Sequence, residues 1–159
     1  MPFTPFHFGP LILLGFLVLS YIDVPSLLVS GVIVDLEGLF VLMFYPEGTV
    51  HGFFHSFIGA GIVAILVSTL IFSFGRYIKK IMAILKLKQD SPFTKILVSS
   101  FVGAYLHVVL DAFLYRMKPF YPLNINPFYG IFSISQVYIF CALCFIPAFV
   151  LYIKRVIEM

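Results

Sequence analysis

Apolar stretches of bilayer-crossing length follow one another along this chain, separated by short segments that collect its prolines, glycines and charges. A helix rising ~1.5 Å per residue needs about 20 apolar residues to span the hydrocarbon layer. Five stretches approach that length. They read as helices over about residues 5–21, 25–37 (or on to 44), 51–74, 92–115 and 130–153. Composition matters here through solvent: 62% of the 159 residues are hydrophobic and 11% are charged, against ~25% charged in a soluble domain. Such a chain cannot cover itself with a water-facing surface. The expected fold is an all-α, polytopic transmembrane helical bundle of about five helices, forming a single integral membrane domain over residues 1–159.

Local signals punctuate the stretches. Thr4-Pro5 and Ser91-Pro92 each read as a helix cap followed by proline at the first helical position. Asp23-Val24-Pro25-Ser26 reads as a tight turn, Gly38 as the end of the second helix, and Pro46-Glu47-Gly48 as a break. Residues 76–90 interleave Arg76, Lys79, Lys80, Lys86 and Lys88 with Ile81, Met82, Ile84, Leu85 and Leu87. This is the pattern of an interfacial amphipathic segment lying on anionic headgroups. Lys95, Lys154 and Arg155 join these cations at one end of the bundle, whereas Arg116 and Lys118 fall at the other. The positive-inside rule then puts the basic loop and C-terminus in the cytoplasm and the N-terminus outside. The chain's start has no basic residue and no small-x-small site, so the first stretch is not read as a cleavable signal. Cys141 and Cys144, one turn apart in the last stretch, read as small apolar packing residues. Nothing in the sequence points to nucleic acid.

The ionisable residues inside the apolar stretches carry the functional signal. An unpaired charge at mid-bilayer costs roughly 2.5–3.5 kcal/mol or more, so such residues are expected to pair or to bind something. His7, His51, His55 and His107 all fall toward the outer end, together with Asp35, Glu37 and Asp111. Residues four apart share a helix face, so His51/His55 and His107/Asp111 can each aim two ligands at one point. Imidazoles mixed with carboxylates suit Zn²⁺, and Mn²⁺ or Fe²⁺ as well. Six or seven such groups are enough for one or two ions. In a straight second helix Asp35 would lie deeper than His51 and His55, and Glu37 would face away from Asp35. The expectation is therefore that this helix ends near Asp35 and that Asp35-Leu36-Glu37-Gly38 lines the pocket in extended form. The bland alternatives are a helix contact for His7, an interfacial position for His51, a plain hydrogen bond between His107 and Asp111, and ion pairs from Asp35 or Glu37 to Arg116 or Lys118.

Taken in order, Met1-Pro-Phe-Thr-Pro-Phe-His7, Val34-Asp35-Leu36-Glu37, His51-Gly-Phe-Phe-His55-Ser56 and Leu106-His107-Val-Val-Leu-Asp111 resemble the membrane-bound metal-dependent hydrolases of bacteria and archaea. The likeness extends over nearly the whole chain up to the Tyr121-Pro122 loop. Where the bacterial pattern has Pro-Asp-x-Asp this chain has Val34-Asp35-Leu36-Glu37, and the first histidine of its His-Arg-Gly-x-Thr-His-Ser is displaced to His51. The ligand order is also similar to the zinc-dependent phospholipase C and P1 nuclease group. What the resemblance implies is a hydrolase of phosphoesters. His7, Asp35, His55, His107 and Asp111 would be metal ligands, with Glu37 or His51 as ligand or general base. Arg116 and Lys118 would hold an anionic phosphate, in a lipid-like substrate at the outer leaflet. Two other classes use the same residues differently. A proton or metal-ion transporter would need polar groups continuing inward, where Ser68, Ser73, Ser99 and Ser100 are found, and a haem protein would use His55 and His107 as axial ligands.

Overall fold

The computed structural model describes residues 5–45 and 47–158, so the expected roles of Thr4 and Pro46 lie outside the described residues. Among those described, the chain is helical with no strand. A 3₁₀ turn, Pro5–His7, leads into α1 (Phe8–Leu17). Then follow α2 (Val24–Ile33), α3 (Leu36–Phe44), a second 3₁₀ turn at Phe53–His55, α4 (Phe57–Ser73), α5 (Gly75–Ile84), α6 (Phe93–Leu114) and α7 (Ile134–Ile157).

Side-chain caps set several starts. The Asp23 carboxylate accepts the Ser26 N–H at 3.0 Å and opens α2. The Ser56 hydroxyl accepts the Gly59 N–H at 3.1 Å and opens α4. Ser133 and Gln136 form a capping box for α7. The expected cap at Ser91 is not made. The residue before α6 is Pro92, no side chain caps it, and the Ser91 hydroxyl is buried without a partner among the described residues.

Length and apolarity qualify three helices to cross a membrane: the α2–α3 rod (Val24–Phe44), α6 and α7. A fourth span is counted if α4 and α5 are taken together, although they meet at an 81° bend. Pro5–Leu17 is apolar but only about 20 Å long at ~1.5 Å per residue. Four of the sequence boundaries shift, the first in α1, which ends at Leu17 rather than at Tyr21. The helix expected from residue 51 begins at Phe57, the last helix runs Ile134–Ile157, and Gly38 lies buried inside α3 rather than ending a helix.

Helix α6 is the axis of the bundle, with α2 on one side and α4 on another, while α1 packs on α7 and α2. Water-driven burial does little between helices inside a bilayer, so close approach of small residues carries the packing. At Gly103 a Cβ would collide with the Leu27 carbonyl and the Ser30 hydroxyl, which is why α2 and α6 meet backbone to backbone there. Ala60 and Ala64 of α4 meet Ala104 and Val108 of α6 in the largest buried cluster. Cys141 and Cys144 are free thiols buried in α7, in keeping with their reading as packing residues.

One irregularity decides the site. The rod from Val24 to Phe44 is tightened at Val34-Asp35, where the Asp35 N–H donates to the Val32 carbonyl (3.1 Å) and the Glu37 N–H to the Val34 carbonyl (3.3 Å). In a regular α-helix the Asp35 N–H would reach back four residues to Gly31. The interruption expected at Asp35 is present, but as a tight turn. Asp35 keeps helical angles (φ −64°, ψ −16°), so the extended segment expected there is not formed.

Candidate metal centre

The tight turn rotates Asp35 inward and leaves the Gly31 carbonyl free of the bond a regular helix would give it. That carbonyl accepts the Nδ1–H of His107 at 2.7 Å. Fixing one ring nitrogen as the donor makes the other, Nε2, an acceptor. His55 is fixed in the same way. Its Nδ1–H donates to Glu37 Oε2 at 2.9 Å, and the Glu37 carboxylate is itself held by the Phe54 N–H at 3.1 and 3.3 Å. The contact needs a bare backbone beside it, since a Cβ on Gly52 would stand 2.5 Å from Glu37 Oε1.

The two Nε2 atoms so prepared turn toward the same two carboxylates. His107 Nε2 lies 3.4 Å from Asp35 Oδ1 and 3.2 Å from Asp111 Oδ2. His55 Nε2 lies 3.6 and 3.7 Å from the same two oxygens. Neither Nε2 has a hydrogen-bond partner among the described residues, and all four side chains are buried. A tetrahedral ion with bonds of 2.0–2.2 Å separates its ligand atoms by about 3.4 Å. Four of the six edges here measure 3.2–3.7 Å, and every one lies within 4.8 Å. Asp35, His55, His107 and Asp111 therefore form a buried group able to hold a metal ion. Both anchors, a carboxylate for His55 and a backbone carbonyl for His107, are the partners that metal-ligating histidines use to fix tautomer and ring orientation.

Comparisons with protein-family models, with curated proteins and with solved structures find no match.

The other site residues named from sequence fall around this group. His7 Nε2 stands 3.3 Å from Asp111 Oδ1, and its ring meets that of His107 edge-on at 4.6 Å. His51 is not on a helix with His55, because both precede α4. The backbone turn still brings their rings to 4.8 Å and puts His51 Nε2 3.5 Å from Asp111 Oδ2. Burial, the largest influence, holds the His51 imidazole down to about 4 against an ordinary 6.5, so it is neutral near pH 7. Glu37 touches His55 from behind and is not among the four converging residues. Arg116 and Lys118 line a cleft of about 600 Å³ with Thr49, His51 and Tyr121. His51 thus connects this open cleft to the buried group. Among the described residues no lysine or arginine pairs with Asp35, Glu37 or Asp111, so the expected alternative of an ion pair to Arg116 or Lys118 is not formed.

Three contributors were not identified from sequence. The Gly31 carbonyl gives no side-chain signal at all. Gly52 and Tyr115 do give one. A glycine stands between the two histidines of the His-Gly-Phe-Phe-His run, and Tyr115 follows Asp111 by four and stacks on His51 at 4.1 Å.

Proposed function

We propose that this chain is a membrane-embedded, metal-dependent hydrolase that cleaves phosphoester bonds in a lipid-like substrate. One observation carries the reading. Two histidines with anchored Nδ1 atoms present unpartnered Nε2 atoms to two buried carboxylates, which no lysine or arginine among the described residues pairs with. Asp35, His55, His107 and Asp111 would hold a divalent ion, and zinc suits two nitrogens and two oxygens at tetrahedral spacing. Bound there, the ion would supply Lewis acidity to a water that joins these four ligands, making that water a nucleophile near neutral pH.

The chain's own residues do the rest. Glu37 positions His55, and the Gly31 carbonyl positions His107. Arg116 and Lys118 receive the anionic phosphate in the cleft, where charge-assisted hydrogen bonds are strongest. The neutral His51 Nε2 accepts a proton from the attacking water and returns it to the departing alcohol. The new bond joins the water oxygen to phosphorus as the bond from phosphorus to the leaving oxygen breaks. The cleft opens on the non-cytoplasmic side, with the N-terminus outside, the basic α5 region and the C-terminus cytoplasmic, and a lipid-linked phosphate arriving in the outer leaflet.

Transport through the same residues is the weaker reading. Between the site and the basic end the buried Ser100 hydroxyl has no partner among the described residues, but those of Ser30, Ser99 and Ser68 donate to carbonyls of their own helices, at 2.7–2.8 Å. Hydroxyls closed in this way do not relay ions. The test is metal content by mass spectrometry on protein purified in detergent, beside His107→Ala and Asp111→Ala. About one or more ions per chain in the native protein and loss in both variants is the expected result. Equal, near-zero metal in all three rejects the proposal.

A further inference from the structure

Helices α1 and α7 meet closely at one end and part at the other. At Gly9 a Cβ would collide with the Cys141 carbonyl, so the two backbones touch there, two residues past His7. At the basic end a pocket of about 150 Å³ opens between them. Phe16 and Leu19 line it from α1 and the turn that follows, and Leu151, Lys154, Arg155 and Glu158 line it from α7. Its walls are held from outside. Gln89 Nε2 donates to the Leu19 and Ile22 carbonyls at 3.0 and 2.8 Å, and the Tyr152 hydroxyl donates to the Leu85 carbonyl at 3.2 Å. A pocket fixed in this way needs little further ordering when a ligand enters.

One polar atom of this lining is left over. Arg155 Nε is buried and has no hydrogen-bond partner among the described residues. The carboxylate of the lining, Glu158, pairs with Lys154 instead, at 3.7 Å. A helix dipole favours cations in the last turn, which accounts for Lys154 but not for a buried Nε that reaches no carbonyl. Native interiors seldom leave a charged donor in that state. Two cations against one exposed carboxylate also leave the pocket positive.

We infer that this pocket binds the phosphate of an anionic phospholipid in the leaflet at the basic end of the bundle. A guanidinium meets phosphate oxygens with a planar fork of donors, Nε among them. Leu151 precedes Lys154 and Arg155 by one turn of α7, so apolar and cationic groups follow each other along one face. Hydrocarbon first and phosphate next is the order in which a lipid presents itself from the bilayer. Size agrees. A pocket that encloses a soluble small molecule runs to ~300–1,000 Å³. About 150 Å³ takes a headgroup phosphate and leaves the acyl chains outside, along Phe16 and Leu151. The lipid joins the parted ends of α1 and α7 and so stabilises their packing. This pocket shares no residue with the metal centre and does not depend on it.

Full-length protein, stripped of lipid in detergent, is titrated with phosphatidylglycerol, phosphatidylcholine or inorganic phosphate. Native mass spectrometry counts the bound lipid, and melting curves follow stability. The expected result is one firmly held phosphatidylglycerol per chain and a raised melting temperature, with neither effect from phosphatidylcholine or phosphate. A cation that acts only through surface potential is worth about fivefold in binding. Arg155→Gln should therefore weaken phosphatidylglycerol binding by about tenfold or more, whereas Lys80→Gln, on the exposed side of α5, should stay within about fivefold. Equal losses in the two variants reduce the effect to surface attraction and overturn the pocket. Phosphatidylcholine binding as firmly overturns recognition by charge, and equal stabilisation by inorganic phosphate overturns a lipid as the occupant. Should Arg155→Gln fail to fold, Arg155→Lys keeps the charge and removes the fork. Weaker binding there supports the role of Arg155, and unchanged binding overturns it.

Discussion

Replacing Glu37 by glutamine separates a positioning role from a ligand role. Glu37 Oε2 accepts from His55 Nδ1 at 2.9 Å and the same carboxylate accepts from the Phe54 N–H, in a side chain 16% exposed. Glutamine keeps the shape and one carbonyl acceptor and removes the charge. A hydrogen bond to a charged group contributes about 1.5–3 kcal/mol and a neutral one about 0.5–1.5. The difference is about 1–1.5 kcal/mol, or roughly tenfold in metal dissociation constant. Glu37→Ala, which strands both His55 Nδ1 and the Phe54 N–H, should approach 100-fold, the upper end for partners that orient a metal-bound histidine. Competition against a fluorescent zinc chelator in detergent measures both. A change under threefold in Glu37→Gln means the carboxylate does not orient His55. A loss as complete as in His55→Ala makes Glu37 a ligand. Either outcome refutes the reasoning.

Other outcomes follow from the same geometry. Gly103→Val forces α2 away from α6 at the Leu27 carbonyl, so thermal stability should fall by about 1–3 kcal/mol and metal retention with it, measured by a melting curve and metal analysis of one sample. Arg116→Gln with Lys118→Gln should raise KM for an anionic phosphoester by about 10-fold or more, leave KM for a neutral phosphotriester unchanged, and change kcat little. His51 adds a pH effect. Its pKa is about 4 when folded and 6.5 when unfolded, so the unfolded chain binds the extra proton between those values. Stability should therefore decline as pH drops from 6.5 to 4, and His51→Asn should flatten that part of the profile in detergent melts.

Much of the fold was legible because a bilayer leaves few options for backbone polar groups. Runs of apolar residues located α6 closely, at Phe93–Leu114 against an expected 92–115. The ends were harder. Ser56, three residues before the Gly59 N–H it caps, moved the start of α4 past both His51 and His55, a placement that hydropathy does not report. At the site, His55, His107, Asp35 and Asp111 were legible as polar residues that an apolar segment has to pair. The division of labour among them was not. Glu37 and Asp35 are two apart, and only the tight turn lets one face His55 Nδ1 while the other approaches its Nε2. Asp23 and Ser26 read as a turn rather than as the buried cap they form, and Ser30 gave no signal, because caps and own-helix hydroxyl bonds look like ordinary helix chemistry in sequence.

The slip in hydrogen-bond register at Asp35 has a mechanical corollary. Gly31 and Asp35 are separated by a single turn, and the displacement of one N–H both aims the carboxylate and frees the carbonyl that steers His107. The two ligands on different helices are therefore not independently adjustable. A change that restores regular winding between Gly31 and Glu37 would misalign Asp35 and His107 together, without altering either residue. The rod can cross the membrane in both windings, so insertion and folding could proceed normally while the metal-binding geometry is switched off.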